Sequence, residues 1–415
     1  MAKTGTPIES VDVCVVGAGP SGLSAALVFA KQGFSTALIA PEVNHADGRT
    51  TALLQASIDL LDQIGVWDGL VLKTAPLARM RMIDDTGRLV RAPEVTFDSV
   101  ELELDAFGYN ILNTDLNAAL EDEISKSDNI LYINEIASSF NLGSECALIE
   151  TASGRVIEAS LLIAADGRNS SVREAAGIDV RRWSYPQVAL VLNLEHERPH
   201  HNISTEFHTP TGPFTLVPLP GRASSLVCVE NTEGADRLRG LNKDDLALEL
   251  ERRAHSILGK FKVASKPQTF PLSGMNAKAL TANRVALVGE TAHVFPPIGA
   301  QGLNLSLRDV AALGRVAAEA RSKGADIGAP EALSNYERER KTDIVTRTGA
   351  VDLLNRSLLT DLLPLQVARS AGLYLADKVT PLRKLLMREG MAPGTKARTS
   401  FRIKRPAWPK RLGAR

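Results

Sequence analysis

The chain has 415 residues, with 48 Lys plus Arg balancing 48 Asp plus Glu. That is long enough for two or more hydrophobic cores, and it lacks the global field that would mark a nucleic-acid partner, so a small-molecule partner is expected. Cys14, Cys146 and Cys228 form no CxxC pair and have no histidine at ligand spacing, which argues against a zinc site or a disulfide framework, fits a reducing, cytoplasmic setting and predicts three buried, inert thiols.

The first informative segment is "VDVCVVGAGPSGLSAALVFAKQGFSTALIAPE". Val13 to Ala30 carries no charge, but three glycines and a proline interrupt it and Asp12 stands before it where a signal peptide has basic residues. Strand, turn and helix is the better reading than a membrane span. The spacing predicts a strand over Val11 to Val16, a turn at Gly17-Ala-Gly19-Pro20-Ser21-Gly22, a helix to about Gln32 ended by Gly33, and a second strand in "STALIA". This is a βαβ dinucleotide unit: Gly17 permits the tight turn, Gly19 lets a pyrophosphate approach the backbone, and Gly22 lets helix and strand pack closely. The acid that meets the adenosine ribose should end the second strand, yet Ala40 stands there. Glu42, two positions on, is the candidate, with a solvated loop carboxylate as the alternative.

Next, "SLLIAADGRNSSVREAAGI" predicts an apolar strand, Leu161 to Ala164, that breaks at Asp166-Gly167. An acid and a glycine at a strand end can face a ligand, Ser170 can cap the following helix, and Arg173 can meet a phosphate. A plain turn at Asp166-Gly167 is the bland alternative. The region after it alternates polar and apolar residues, with turns at Thr211-Gly212 and Pro220-Gly221, and predicts an antiparallel meander. Asn242 with Asp245 predicts the cap of a helix running to about Gly259.

"RVALVGETAHVFPPIGAQGLNLSLRD" then runs from β-formers to Gly289, an acid at Glu290, two prolines, and a helix beginning near Gly302. Gly299 to Asn304 would offer unpaired N–H groups and a positive dipole end. Farther on, Leu353, Leu354, Leu358, Leu359, Leu362 and Leu363 repeat at helical spacing, most readily as core. The final "KARTSFRIKRPAWPKRLGAR" holds eight Lys or Arg and no acid, with Phe401 and Trp408 interleaved. That composition suits an anionic membrane surface, and a disordered basic tail explains it equally well.

Together, Gly17/Gly19/Gly22, the DGxxSxxR pattern (Asp166, Gly167, Ser170, Arg173) and the segment from Gly289 onward resemble the class A flavoprotein monooxygenases of the para-hydroxybenzoate hydroxylase fold. The resemblance implies an α/β chain: a Rossmann-like FAD-binding domain (1–75, 101–182 and 276–345), an antiparallel β substrate domain (76–100 and 183–275), C-terminal helices (346–395) and a basic tail (396–415). FAD would span all three motifs, with Leu303 and Asn304 at its ring by backbone, Gly299, Gln301 and Gly302 beside them, and Glu290 near the ribityl or ribose hydroxyls. Glu290 replaces the family's usual aspartate, and Ala300 stands where glycine is common. Arg49 matches an arginine that in the family reaches the FAD diphosphate or the mobile flavin. Asn113 falls where many relatives place an arginine, and a helix N-cap explains it as well.

"RPHHNISTEFHTPTGPFTLVPL", the third motif and the C-terminal region narrow the resemblance to the ubiquinone-biosynthesis hydroxylases. It implies hydroxylation of a polyprenylated phenol or benzoquinol by NAD(P)H and dioxygen, with a hydrophobic aromatic substrate. It also implies peripheral inner-membrane or complex contact through the C-terminal region. A soluble phenol hydroxylase of aromatic catabolism and an interaction subunit without turnover are the competing readings; no WxWxIP motif supports a flavin halogenase. The flavin carries the chemistry in such a scheme, so no catalytic side chain is assigned. His293, Pro296 and Pro297 lie nearest the expected reactive edge, and His293 could relay a proton or serve structurally.

Overall fold

The N-terminal apolar run forms a strand, Ile8–Val16, paired in parallel with Val156–Ala164 on one side and Thr36–Ile39 on the other. The computed structural model describes residues 8–42, 48–87, 91–296, 301–359 and 379–391. Pro297, Gly299, Leu362, Leu363 and the tail 396–415 lie outside the described residues.

Val285–Leu287 and Ile130–Ile133 extend this parallel sheet at either side, and Thr281–Ala282 adds an antiparallel edge. Its strands read as continuous apolar runs because both faces are covered: Val13, Cys14, Val15, Leu161, Leu162, Ile163 and Ala164 are all fully buried. The helix Pro20–Lys31 packs between Asn113–Ser125 and Gln301–Ser322. Leu23, Leu27 and Phe29 on that helix are buried, each contributing roughly 1.5–3 kcal/mol by leaving water. Gly314 lets two helices touch, since a Cβ there would lie 2.6 Å from Val28 Cγ1.

Among the described residues the second sheet has nine strands, in the order His293–Val294, Gln268–Ala277, Val180–His196, Ala223–Asn231, Pro213–Leu219, Ile203–His208, Arg79–Asp84 and Val95–Asp98, with Phe261–Val263 beside Val180–His196. It is antiparallel except at one junction: Ile203–His208 runs parallel to Arg79–Asp84, a pairing with a distant segment that local alternation cannot reveal. Period-two alternation sorts its side chains. Leu190, Leu192, Leu194, Phe207, Phe214, Leu216, Leu226 and Cys228 face the helices Thr232–Gly240 and Lys243–Arg253 and share a core with Leu238, Leu246 and Leu250.

Asn242 caps the second of these helices by accepting from the Asp244 and Asp245 amides. That helix ends at Arg253, short of the expected Gly259, because His255 and Ser256 adopt left-handed φ of 51° and 50°, which no helix continues through. Cys14 and Cys228 are buried, and burial pushes the Cys228 thiol up to about 12. Cys146 is only half-buried, because it sits in the turn between the strands Ala137–Leu142 and Ala147–Thr151, where the Gly143 amide donates to its carbonyl.

The helix Pro330–Leu359 runs unbroken through positions 353 to 359. The last described helix, Thr380–Met391, is clamped to the edge of the second sheet. Arg383 reaches Glu101 at 2.6 and 2.7 Å, and its Cζ lies 4.9 Å from the Phe97 ring centroid. Among the described residues no helix is long and apolar enough to cross a membrane.

Candidate functional site

The three glycine-bearing motifs meet at one end of the parallel sheet. Gly17, at φ +109°, passes so close to the second motif that a Cβ would lie 2.4 Å from the Ala165 carbonyl oxygen and 2.8 Å from the Asp166 nitrogen. Gly22 is packed under it, where a Cβ would lie 1.9 Å from the Gly17 oxygen. Gly289, at φ +65°, brings the third motif against the first; a Cβ would meet Ser21 Oγ at 2.9 Å and Ser306 Oγ at 3.1 Å.

Gly19 differs from all of these. It is the N-cap of Pro20–Lys31, makes no side-chain cap bond, has an ordinary φ of −72°, and among the described residues a Cβ on it would meet no atom within 4 Å. Among the described residues no side chain caps the helix's first amides and positive dipole end, which fits a pyrophosphate. Pro20 occupies the first helical turn, where its missing N–H costs nothing.

In the second motif, Ser170 caps the short helix Ser171–Ala175 as expected, accepting from the Arg173 amide at 2.9 Å. Asp166 accepts from Ser170 Oγ at 2.5 Å and from the Ser171 amide at 2.8 Å, so its carboxylate braces the turn that Gly167 makes at φ +84°. Arg173 departs from expectation. It is 5% exposed and donates to the carbonyls of Thr291 at 2.9 Å and Arg168 at 3.0 Å, so it clamps the second motif to the third instead of reaching for a phosphate.

Glu290 stands on a short 3₁₀ turn, Gly289–Thr291, with its side chain 54% exposed and 3.5 Å from Arg168 Nε. His293 is buried, its Nε2 2.6 Å from Asp309 Oδ2, and its Nδ1 has no partner among the described residues. Asp309 also accepts from the Gly289 amide at 3.1 Å and from Arg340 Nε at 2.7 Å. Burial alone would raise this carboxyl, but the His293 ring and the Arg340 guanidinium outweigh it and hold it below the ordinary aspartate range. Arg340 passes the network to Asp343 at 2.6 Å, which also meets Arg308 at 2.9 Å and Arg347 at 3.1 Å, and Arg347 bonds Gln301 at the start of its helix.

Asn304 is tied down by its amide. Oδ1 accepts from the Leu54 amide at 2.8 Å and Ser57 Oγ at 2.7 Å, while Nδ2 donates to the Ala52 carbonyl at 2.7 Å. Gly302 is exposed and Leu303 half-buried at the same helix start. Asn113 is the first residue of its helix, with Leu112 in the cap position, and its Oδ1 accepts from Thr51 Oγ1 at 2.7 Å. The N-cap reading of Asn113 is therefore set aside. Arg49 stacks on Phe270 of the second sheet at 5.2 Å, and Asn193 Nδ2 donates to the neighbouring Gly48 carbonyl at 2.9 Å, so this segment, which leads into the strand Thr50–Leu54 of a small third sheet, lies against the second sheet. Glu42 is exposed beyond the end of Thr36–Ile39, and Pro296 is buried just after His293–Val294.

Asp309 and Arg340 were missed in the sequence, although Asp309 lies between Leu305 and Leu313 on the buried stripe of its helix. An acid in an apolar stripe signals a buried partner. A separate cleft of about 590 Å³ opens at the Thr281–Ala282 edge, lined by Arg284, Glu337, Arg338 and Lys341 among others, and none of the expected cofactor residues borders it.

Residues 10–348 match the family model described as FAD binding domain. The chain is 33% identical over 397 residues to ubiquinone hydroxylase UbiL of Rhodospirillum rubrum, covering 94% of this chain and 91% of that protein. It is 30% identical over 385 residues to 3-demethoxyubiquinol 3-hydroxylase of Escherichia coli, covering 91% and 97%. Among solved structures, p-nitrophenol 4-monooxygenase PnpA of Pseudomonas putida superposes with a TM-score of 0.75 at 19% identity, covering 92% and 98% of the two chains, which is a likeness of fold.

Proposed function

This chain belongs to the ubiquinone-biosynthesis hydroxylase family of FAD-dependent aromatic monooxygenases, and from that membership we propose that it hydroxylates the ring of a polyprenylated phenol or benzoquinol, using NAD(P)H and dioxygen. The observation that carries the cofactor half of this reading is the bare helix start at Gly19, open in front and packed tightly behind by Gly17 and Gly22.

Bound FAD supplies the electron transfer and oxygen activation that no side chain provides. The chain's own residues would hold and orient it. Gly19, Pro20, Ser21 and Gly22 offer the pyrophosphate an amide-lined helix end. Arg49, beside Phe270 of the second sheet, would supply a guanidinium, and Glu42 and Glu290 would supply acceptors for sugar or ribityl hydroxyls. Asp166 with Gly167 shapes the opposite wall, and Asn113 extends a polar margin. Gln301, Gly302, Leu303 and Asn304 present the start of a 22-residue helix, whose dipole favours negative charge there.

His293 and Pro296 border the site from the second sheet's edge, where burial excludes water. Fixed by Asp309, His293 is more readily a positioning residue than a proton carrier. The basic tail, which follows a helix clamped beside Phe97, would bring the site to an anionic membrane surface where a polyprenyl chain resides.

The test is turnover of the FAD-loaded protein on a short-chain prenylated phenol, with oxygen uptake, nicotinamide oxidation and the hydroxylated product measured together. Product formation stimulated by anionic vesicles is expected. Equal turnover of small free phenols, with no vesicle effect, would favour a soluble phenol hydroxylase instead.

A further inference from the structure

We propose that Glu206, held by His208 and Thr215, accepts a hydrogen bond from the ring hydroxyl of the substrate and makes this protein select free phenols over their ethers. The inference rests on the aromatic-hydroxylase reading above and adds to it the residue that recognises the ring.

The register of the second sheet places Glu206 on its working face. Val191 pairs with Val227, Val227 with Thr215, Thr215 with Glu206, Glu206 with Met82, and Met82 with Val95. Directly paired residues lie on one face, so these six form a single row across five neighbouring pairings. The flanking residues Leu190, Leu226, Leu216 and Phe207 point the other way, into the core shared with the two helices. The Glu206 row therefore lies on the face that carries Phe270 and Asn193, which Arg49 and Gly48 of the FAD-binding part contact. A substrate held between sheet and flavin must lie along this face.

Along that row, among the described residues, Glu206 is the one charged group beside three valines and a methionine. Thr215, Val227 and Met82 are part-exposed, as is Glu206, whose side chain is 24% exposed. An isolated carboxylate on such a surface would be costly. It is stabilised by His208 Nε2, 2.8 Å from Oε1, and by Thr215 Oγ1, which donates to Oε2 at 3.2 Å. Burial alone would raise this carboxyl, and the two partners hold it below the ordinary glutamate range. A carboxylate has about four acceptor sites, so two such bonds leave capacity for a ligand hydroxyl. Asp84, the pairing partner of His208, is occupied in its own turn, accepting from Thr86 and from the Ala92 amide.

The chemistry follows from charge. A phenol O–H donating to a carboxylate makes a charge-assisted bond, about twice as strong as a neutral one, and it shifts electron density into the ring that the reaction must oxygenate. A methyl ether lacks the proton and would leave Glu206 facing an ether oxygen.

The experiment titrates FAD-loaded protein with a short-chain prenylated phenol and with its methyl ether, following flavin fluorescence, so that binding is read without turnover. The wild type should bind the phenol about tenfold more tightly than the ether. Glu206→Gln, which keeps shape and removes charge, should cut that preference at least about threefold with FAD content unchanged. A preference unaltered in Glu206→Gln overturns the proposal. If that variant loses FAD, Thr215→Val decides: a reduced preference supports the site, and an unmoved one overturns it. A Glu206-dependent preference in a protein that yields no hydroxylated product would sink the activity while supporting the contact.

Discussion

Asp309 and His293 are joined by a 2.6 Å contact between Oδ2 and Nε2, with both side chains essentially excluded from water. The same carboxylate holds the Gly289 amide and Arg340. One residue thus fastens the third motif's turn, the edge strand of the second sheet and the long C-terminal helix. Asp309→Asn leaves buried Arg340 with only a share of Asp343, which also serves Arg308 and Arg347, and a loss of about 3–5 kcal/mol is expected, measured by denaturant unfolding of the FAD-free protein. A change within experimental error would mean that Asp343 alone neutralises Arg340.

The glycines of the first motif separate into folding and binding roles. Gly22→Ala would drive a methyl into the Gly17 carbonyl and should abolish or strongly destabilise the fold. Among the described residues Gly19→Ala meets no atom within 4 Å, and it requires no strained φ, so its melting temperature without FAD should match the wild type while FAD affinity falls at least about tenfold. Retained FAD in Gly19→Ala would show that the pyrophosphate does not approach there.

Glu290 is mostly exposed and, among the described residues, paired with an exposed arginine, so its contribution to folding is within about 1 kcal/mol. Glu290→Ala should leave the unfolding curve of the FAD-free protein in place and release FAD faster during gel filtration. Unchanged FAD content would remove the acid from the cofactor's surroundings.

Acid should unfold the protein through specific carboxylates. Asp309, Glu206 and Glu249 all have folded values below their ordinary ones, Glu249 falling from 4.5 to about 2: burial alone would raise it, and Arg237, Arg253 and Arg252 more than compensate. A depressed folded value stabilises the fold above the unfolded value and loses that stabilisation as pH falls through the folded one. Unfolding free energy is therefore expected to be insensitive to these groups above about pH 5 and to decline below the ordinary carboxylate range. Asp309→Asn should flatten part of that decline in urea titrations across the acid range.

The βαβ unit, the order of the three motifs and the meander were legible because each is written locally. A buried parallel strand must be continuously apolar, a tight turn must have glycine, and a half-exposed sheet must alternate. Ser170 and Asn242 were likewise readable as caps, since a cap bonds an amide only two or three residues away. What the tertiary structure decided was which side chain of distant segments meets which. Arg173 turned to the Thr291 carbonyl, 118 residues on, and Asn304 fastened a segment 250 residues before it. Ile203–His208 found a parallel partner at Arg79–Asp84, and Glu206 reached the open face of its sheet through that register. Such contacts depend on the position and orientation of elements brought together only by burying the cores, and no spacing along the chain encodes them.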